Sequence, residues 1–355
     1  MYHINDYFSK GVEQRMKKLA VWAVLAAMLF VVAACGGGNT GAEDGTSGAA
    51  VTPATEEPTA QAPAAEQPAA EAPTEITVTH QLGEAVVPVN PEKVVVFDFG
   101  ALDTLDTLGV AVTGVPQSGT IPSYLEKYKG SEYTNVGTLQ EPDFEKIAEI
   151  APDLILISGR QSAHYEELSK LGPTVFIGVD TSKYMESYKG NAELLGRIFQ
   201  KEDVVATELS AVEQAVGELN AAASAGGKTA LVVLLNEGSL SAYGSGSRFG
   251  IIHDVFGFKP VDENIEVSTH GMSVSYEYIV EKDPDFLFVV DRGAVVTTGD
   301  ASPTSAVTDN ELIQNTKAYK NGDIVFLDPN YWYLSGGGLV SVSEMVKQVA
   351  ESTKE

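Results

Sequence analysis

The chain has 355 residues, 44% of them apolar and 20% charged, and carries a formal charge of −26. That length suits two domains at about 100–200 residues each, and the acidity excludes nucleic acid as a partner, because phosphate binding needs a basic surface. Any anion site must therefore be a local positive feature on a negative protein.

Arg15, Lys17 and Lys18 precede the apolar run LAVWAVLAAMLFVVAA at 19–34, which ends in small residues before Cys35. A basic stretch, a short apolar core and small residues ahead of a cleavage point predict a secretory signal over 1–35. The run has 16 residues, short of the roughly 20 that cross a bilayer; a single membrane-spanning anchor is the alternative. Met16 is the expected start of translation. Cys35 is the sole cysteine, so no intramolecular disulfide forms. Residues 36–75 hold no aromatic side chain and one large aliphatic, Val51. Such a segment buries no core and is predicted to be a disordered tether, extended by its Pro and Glu content.

From Ile76 the texture becomes β-rich. ITVTHQL and AVVPVN read as a hairpin, and KVVVFDF (93–99) as a buried strand leading into the helical ALDTLDTLG. Helix PDFEKIAEIA, strand DLILIS, helix SAHYEELSKLG and strand TVFIGV follow. Alternation at this spacing predicts parallel strands in an α/β layer architecture. From Met185 to Ala223 apolar residues recur at helical spacing without a strand signal, and QKED (200–203) divides the pattern into two helices. Alternation then resumes with TALVVLLN, SLSAYG, FGIIHDVFG, YEYIVEK, DFLFVV, DNELIQNTKAYKNG, DIVFLD and a last helix LVSVSEMVKQVAEST. The expected organisation is an N-terminal lobe over 76–190, linking helices over 191–226 and a C-terminal lobe over 227–355.

An internal repeat points to the site. EKIAEIAPDLILISGR (145–160) and EYIVEKDPDFLFVVDR (277–292) align without gaps and share Glu145/Glu277, Ile147/Ile279, Glu149/Glu281, Pro152/Pro284, Asp153/Asp285 and Arg160/Arg292. Each copy is a helix, a Pro-Asp break, a strand and a terminal arginine. Loops at the carboxyl ends of parallel strands are where open α/β sheets bind ligands, so Arg160 and Arg292 are expected to face one another across a cleft between the lobes.

From Ile76 onward the chain resembles the class III substrate-binding proteins of ABC importers, and within them the ferric-siderophore-binding lipoproteins of the catecholate and petrobactin branch. The resemblance is carried by VVVFDFGALDTLDTLG (94–109), EKIAEIAPDLILISGRQ (145–161), GSGSRFGIIHDVFGFKPVDENI (244–265), STHGMSVSYEYIVEKDPDFLFVVDR (268–292) and LDPNYWYLSGGGL (327–339). It implies two Rossmann-like α/β lobes joined by a long backbone helix, and Cys35 in a lipobox where it receives lipid at the extracytoplasmic face of the cell membrane. It also implies three arginines, matching Arg160, Arg248 and Arg292, that hold an anionic ferric catecholate. Arginine suits that role because it stays charged, donates in a planar fork and stacks on aromatic rings.

Two further residues match the iron-ligand pattern of the branch, His270 in STHGMS and Tyr333 in NYWYLSG, with Tyr331 the competing tyrosine. A tetradentate bis-catecholate leaves ferric iron two open positions, which an imidazole and a phenolate complete; a hexadentate siderophore needs neither, and His270 then caps a helix. Phe99, Tyr243 and Trp332 are expected as aromatic cleft walls. The resemblance implies Glu145 and Glu277 as the residues, one per lobe, that dock on a permease dimer; as plain helix-start carboxylates both also suit the helix dipole. It implies a monomer with no resident cofactor, the Fe(III)-siderophore complex being cargo. Haem, cobalamin or a hydroxamate siderophore are the alternative cargoes. An extracellular hydrolase is a competing class, but no Gly-x-Ser-x-Gly elbow or His-Glu-x-x-His motif occurs in the chain.

Overall fold

The computed structural model describes residues 74–296 and 305–353. The predicted signal segment, Cys35 and the tether up to residue 73 lie outside the described residues. The folded part opens with the antiparallel hairpin β1 (Glu75–His80) and β2 (Gly83–Pro88), which seals its inner face with Val78 and Val87.

Five parallel strands follow: β3 (Val94–Val96), β4 (Gly114–Val115), β5 (Thr134–Asn135), β6 (Leu154–Ile157) and β7 (Thr174–Phe176), in the order β5-β4-β3-β6-β7. β3 and β6 are buried along their whole length, the reason both read as unbroken apolar runs. Helix α1 (Phe99–Thr107) starts where Asp98 Oδ1 accepts the Ala101 N–H at 2.8 Å, and α2 (Phe144–Ile150) starts where Asp143 accepts the Lys146 N–H at 3.0 Å. Both are side-chain N-caps.

The linking pattern forms α3 (Tyr184–Phe199) and α4 (Glu202–Gly226), which pack on one another. The break falls at Gln200, whose φ of 52° ends the first helix within the predicted QKED stretch. With 25 residues, α4 is about 37 Å long.

The second sheet contains β8 (Thr229–Asn236), β9 (Ser239–Tyr243), β10 (Lys259–Pro260), β11 (Met272–Val274), β12 (Phe286–Asp291) and β13 (Ile324–Leu327). Its order is β11-β9-β8-β12-β13, with β10 alongside β8. It is mixed rather than parallel throughout as expected. β8 and β9 are joined by Glu237 and Gly238 alone, at φ 49° and 82°. Two residues at positive φ make a hairpin turn, and so short a link only serves antiparallel neighbours. Helix α5 (Tyr276–Lys282) precedes β12, and α6 (Leu339–Ser352) ends the described chain. The helix predicted over DNELIQNTKAYKNG is shorter, a 3₁₀ turn at Ile313–Asn315 and a helix at Lys317–Asn321 that Thr316 caps.

The repeat has a structural cause. α2 and α5 both end on a left-handed residue, Ala151 at φ 49° and Asp283 at φ 45°, directly before the proline of each copy. The following aspartates then stitch the neighbouring strand. Asp153 Oδ2 accepts from Glu92 N at 3.1 Å and Lys93 N at 2.9 Å, just ahead of β3. Asp285 Oδ2 accepts from Thr229 N at 2.8 Å and Thr229 Oγ1 at 3.0 Å, at the start of β8. The lobes are also connected a second time: after β13 the chain turns through residues 330–338, and α6 packs on both α1 and α4. α4 is thus not the sole bridge between the sheets.

Candidate functional site

Arg160 stands three residues beyond β6, Arg292 directly after β12, and Arg248 in the loop after β9. That loop is shaped by Ser247, whose N–H and hydroxyl both reach the Gly244 carbonyl, and by Gly246 N, which donates to Asp254 Oδ2 at 2.6 Å. All three guanidinium groups converge on Tyr333. Arg160 Nη2 donates to the Tyr333 carbonyl at 3.1 Å, and Arg248 Nη2 donates to the same oxygen. Arg292 Nε donates to the phenol oxygen at 2.8 Å. The Arg248 guanidinium carbon lies 4.2 Å from the Tyr333 ring centre and that of Arg292 lies 5.7 Å away, both within cation–π range.

The Tyr333 carbonyl is free for this because Asn330–Ser335 is a π-helical turn. Its hydrogen bond runs from Gly336 N to the Tyr331 carbonyl, and Gly338 N turns instead to Ser341 Oγ at 2.9 Å. The arginines take the oxygen that the wide turn leaves over. Such turns are common at functional sites.

The electrostatics are those of an anion site. Among the described residues no carboxylate forms an ion pair with Arg160, Arg248 or Arg292. Burial, and then the neighbouring charge of Arg160, press the Arg248 pKa below its ordinary value. Burial by itself would raise the Tyr333 phenol; the Arg292 hydrogen bond and the charges of Arg248, Arg292 and Arg160 outweigh it and leave that phenol below its ordinary range. Three cations are thus held together around one tyrosine, with no ion-paired carboxylate among the described residues. At an effective dielectric near 20, a unit charge at about 4 Å from one of them gains roughly 4 kcal/mol.

Residues beyond the expected set complete the cluster. Asn236 Oδ1 accepts from Arg292 Nη1 at 2.7 Å, which aims Nε at the tyrosine and leaves Nη2 for a ligand. Asn236 is the last β8 residue before the hairpin turn, and an Asn ahead of such a turn reads in sequence as turn chemistry alone. Asp98, the cap of α1, lies close enough to Arg160 to feel its charge.

The other expected residues fall elsewhere. Phe99 is fully buried and Trp332 is 3% exposed, so both belong to the core instead of forming cleft walls. Trp332 packs on Phe249 and Phe256 and donates its indole N–H to Gln348 Oε1 at 3.0 Å. Tyr243, 1% exposed, lies beneath the cluster, against Phe249 and close to Gly271. Tyr331 packs against Tyr124 with ring centres 4.7 Å apart and planes tilted by 35°. His270 is exposed in a turn closed by Ser268 and Gly271, and no hydrogen bond or ring contact joins it to Tyr333. Among the described residues no group of three or more His, Cys, Asp or Glu side chains is placed to hold a metal. Glu145 and Glu277 are both exposed in the first turns of α2 and α5. The Glu277 carboxyl lies below the usual carboxylate value, held there by hydrogen bonds with Ser275 and its own backbone. No helix among the described residues is long and apolar enough to cross a membrane.

Known proteins resemble this chain over most of its described length. The periplasmic binding protein family model matches residues 94–331. The petrobactin-binding protein YclQ of Bacillus subtilis is 45% identical over 344 residues, covering 96% of this chain and all of that one. Its crystal structure superposes with a TM-score of 0.76 at 51% identity, over 79% of this chain and 99% of that chain. The periplasmic catecholate-siderophore binding protein VctP of Vibrio cholerae superposes with a TM-score of 0.73 at 36% identity, over 78% of this chain and 99% of that one.

Proposed function

Because the chain belongs to the periplasmic binding protein family, we propose that it is an extracytoplasmic receptor that captures an anionic ferric catecholate siderophore and delivers it to an ABC importer for iron uptake. The observation that carries this reading is the cluster itself: three guanidinium groups from both lobes meet at Tyr333 with no carboxylate partner among the described residues. A ferric tris-catecholate is a trianion and a bis-catecholate is also anionic. Either supplies the missing charge, and their planar rings stack on guanidinium faces. The similarity to YclQ and VctP supports a catecholate over the other cargoes, since those proteins are named for petrobactin and for catecholate siderophores.

The iron complex is cargo, with no resident cofactor and no reaction in the cycle. His270 and Tyr333 are proposed to complete the iron shell of a tetradentate complex, which requires the exposed His270 turn to close over the cleft. Glu145 and Glu277, matched across the repeat, are proposed to dock a monomeric receptor on the two subunits of a permease. Cys35 is proposed to carry the lipid, residues 36–75 to be the tether, and the lobes to divide at 76–190 and 227–355 about the linking helices at 191–226. The test is a thermal-shift panel with the purified protein. Ferric petrobactin-type and tris-catechol complexes should raise the midpoint. A rise with a neutral ferric hydroxamate, haem or cobalamin in their place would reassign the cargo.

A further inference from the structure

The turn that carries Tyr333 is clasped at both ends by the opposite lobe. At its start, Asn330 Oδ1 accepts from Ser123 N at 3.0 Å and Tyr331 packs against Tyr124. At its end, α6 begins with three backbone N–H groups that a helix leaves unpaired. Leu339 N donates to Thr104 Oγ1 at 3.2 Å, Val340 N to Asp103 Oδ1 at 3.1 Å and Ser341 N to Asp103 Oδ2 at 2.9 Å. Asp103 lies on α1 and is completely buried, and its Oδ2 also accepts from Tyr124 OH at 3.0 Å. The fit admits nothing more: a Cβ on Gly338 would lie 2.2 Å from this carboxylate. Both Asp103 oxygens face donors, and a helix N-terminus favours the carboxylate, but burial outweighs them and pushes its pKa up to about 7.

We propose that Asp103 is a positioning residue of the anion cleft: by clasping the start of α6 it fixes Tyr333 between Arg160, Arg248 and Arg292, without touching the ligand itself. This rests on the reading of that cluster as the binding site. Between the clasp and Tyr333 the chain passes through Gly336 and Gly337, at φ 31° and 103°, conformations that side-chain-bearing residues rarely adopt. The turn is therefore poised by its anchored ends, and loosening one end moves the tyrosine relative to the guanidinium groups.

The test begins with the free protein. Asp103→Asn keeps the shape but sets an NH2 group against a backbone N–H or the Tyr124 hydroxyl. In the free wild type the Arg292 Nε–H resonance, assigned by its loss in Arg292→Lys, reports the hydrogen bond to the Tyr333 phenol oxygen, and Tyr333→Phe gives its position without that bond. In Asp103→Asn the resonance should move toward the Tyr333→Phe position. An unmoved resonance alongside a lowered urea midpoint makes Asp103 a plain helix cap and overturns the proposal. Should Asp103→Asn not fold, Tyr124→Phe removes one donor to the same carboxylate and should shift the resonance the same way by less; no shift there overturns it equally. Titration with a ferric bis-catecholate then separates the two readings. Weakening by about tenfold in Asp103→Asn is expected. A wild type that ignores the complex sinks the cargo assignment while leaving the shift of the Arg292 resonance intact as evidence for the clasp.

Discussion

The helix–strand–arginine unit occurs once in each lobe, and its two copies agree closely up to the strand and part after it. In both, a buried isoleucine (Ile147, Ile279) anchors the helix, a left-handed residue ends it, and an aspartate stitches the start of the neighbouring strand. Beyond the strand, Arg160 spends its donor on the Tyr333 carbonyl, whereas Arg292 divides between the Tyr333 phenol and Asn236. The shared isoleucine, proline and aspartate serve folding, and the two copies differ in the surroundings of the shared arginine. Two similar strand ends are thereby made into unequal jaws, one gripping a backbone oxygen and the other a side chain that itself suits ferric iron.

The comparison can be broken most forcibly at the arginines. Arg248→Ala with Arg292→Ala should weaken ferric catecholate binding by at least about 100-fold, since removing one partner of a desolvated charged contact costs roughly 2–5 kcal/mol. The same change should leave the urea midpoint level or slightly higher, because it relieves the repulsion that Arg160 exerts on Arg248. A collapse in stability would make the arginines structural.

The stitching aspartates come next and should differ. Asp285→Ala strips a half-buried strand start of its acceptor and should cost about 1–3 kcal/mol in urea unfolding. Asp153→Ala should cost less, as the Glu92 and Lys93 donors it frees lie at exposed residues and find water. Equal costs would show that the two copies are interchangeable after all. Acid sharpens the point. Burial would raise the Asp285 carboxyl, but its bonds from Thr229 outweigh that and hold it below 3.8. A depressed folded value gives stability that is present above the unfolded value and fades as pH falls through the folded one. Asp285→Asn should therefore flatten the loss of stability below about pH 4, read by urea unfolding at several pH values. The smallest effect is expected at the helix ends: Ala151→Gly removes a left-handed strain of about 1 kcal/mol and should raise the midpoint slightly.

Much of this was legible in the sequence, for reasons of periodicity. The hairpin, the parallel first sheet and the break at Gln200 follow from alternation, apolar runs and a polar interruption. The matched arginines were legible because the repeat fixed their place relative to the strands. What stayed hidden involves partners that patterns do not encode. Nothing in NYWYLSG signals a π-helical turn whose carbonyl takes two arginines, and nothing in DTLD signals that Asp103 reaches α6, 238 positions away at Ser341. Phe99 opens α1 and Trp332 lies in the π-helical turn, and both are buried in the core, which an aromatic in either sequence context does not reveal. Antiparallel β9 was missed because the two-residue turn at Glu237 and Gly238 lacks the usual Asn-Gly or Asp-Gly pair.

The most direct measurement follows fluorescence from Trp332, the neighbour of Tyr333 and one of the chain's 2 tryptophans. A ferric catecholate is titrated into the wild type and into the Arg248→Ala, Arg292→Ala protein. Saturable quenching in the first and its loss in the second is the predicted result. Quenching of equal depth and midpoint in both would contradict it, since the cargo would then be held without the guanidinium cluster.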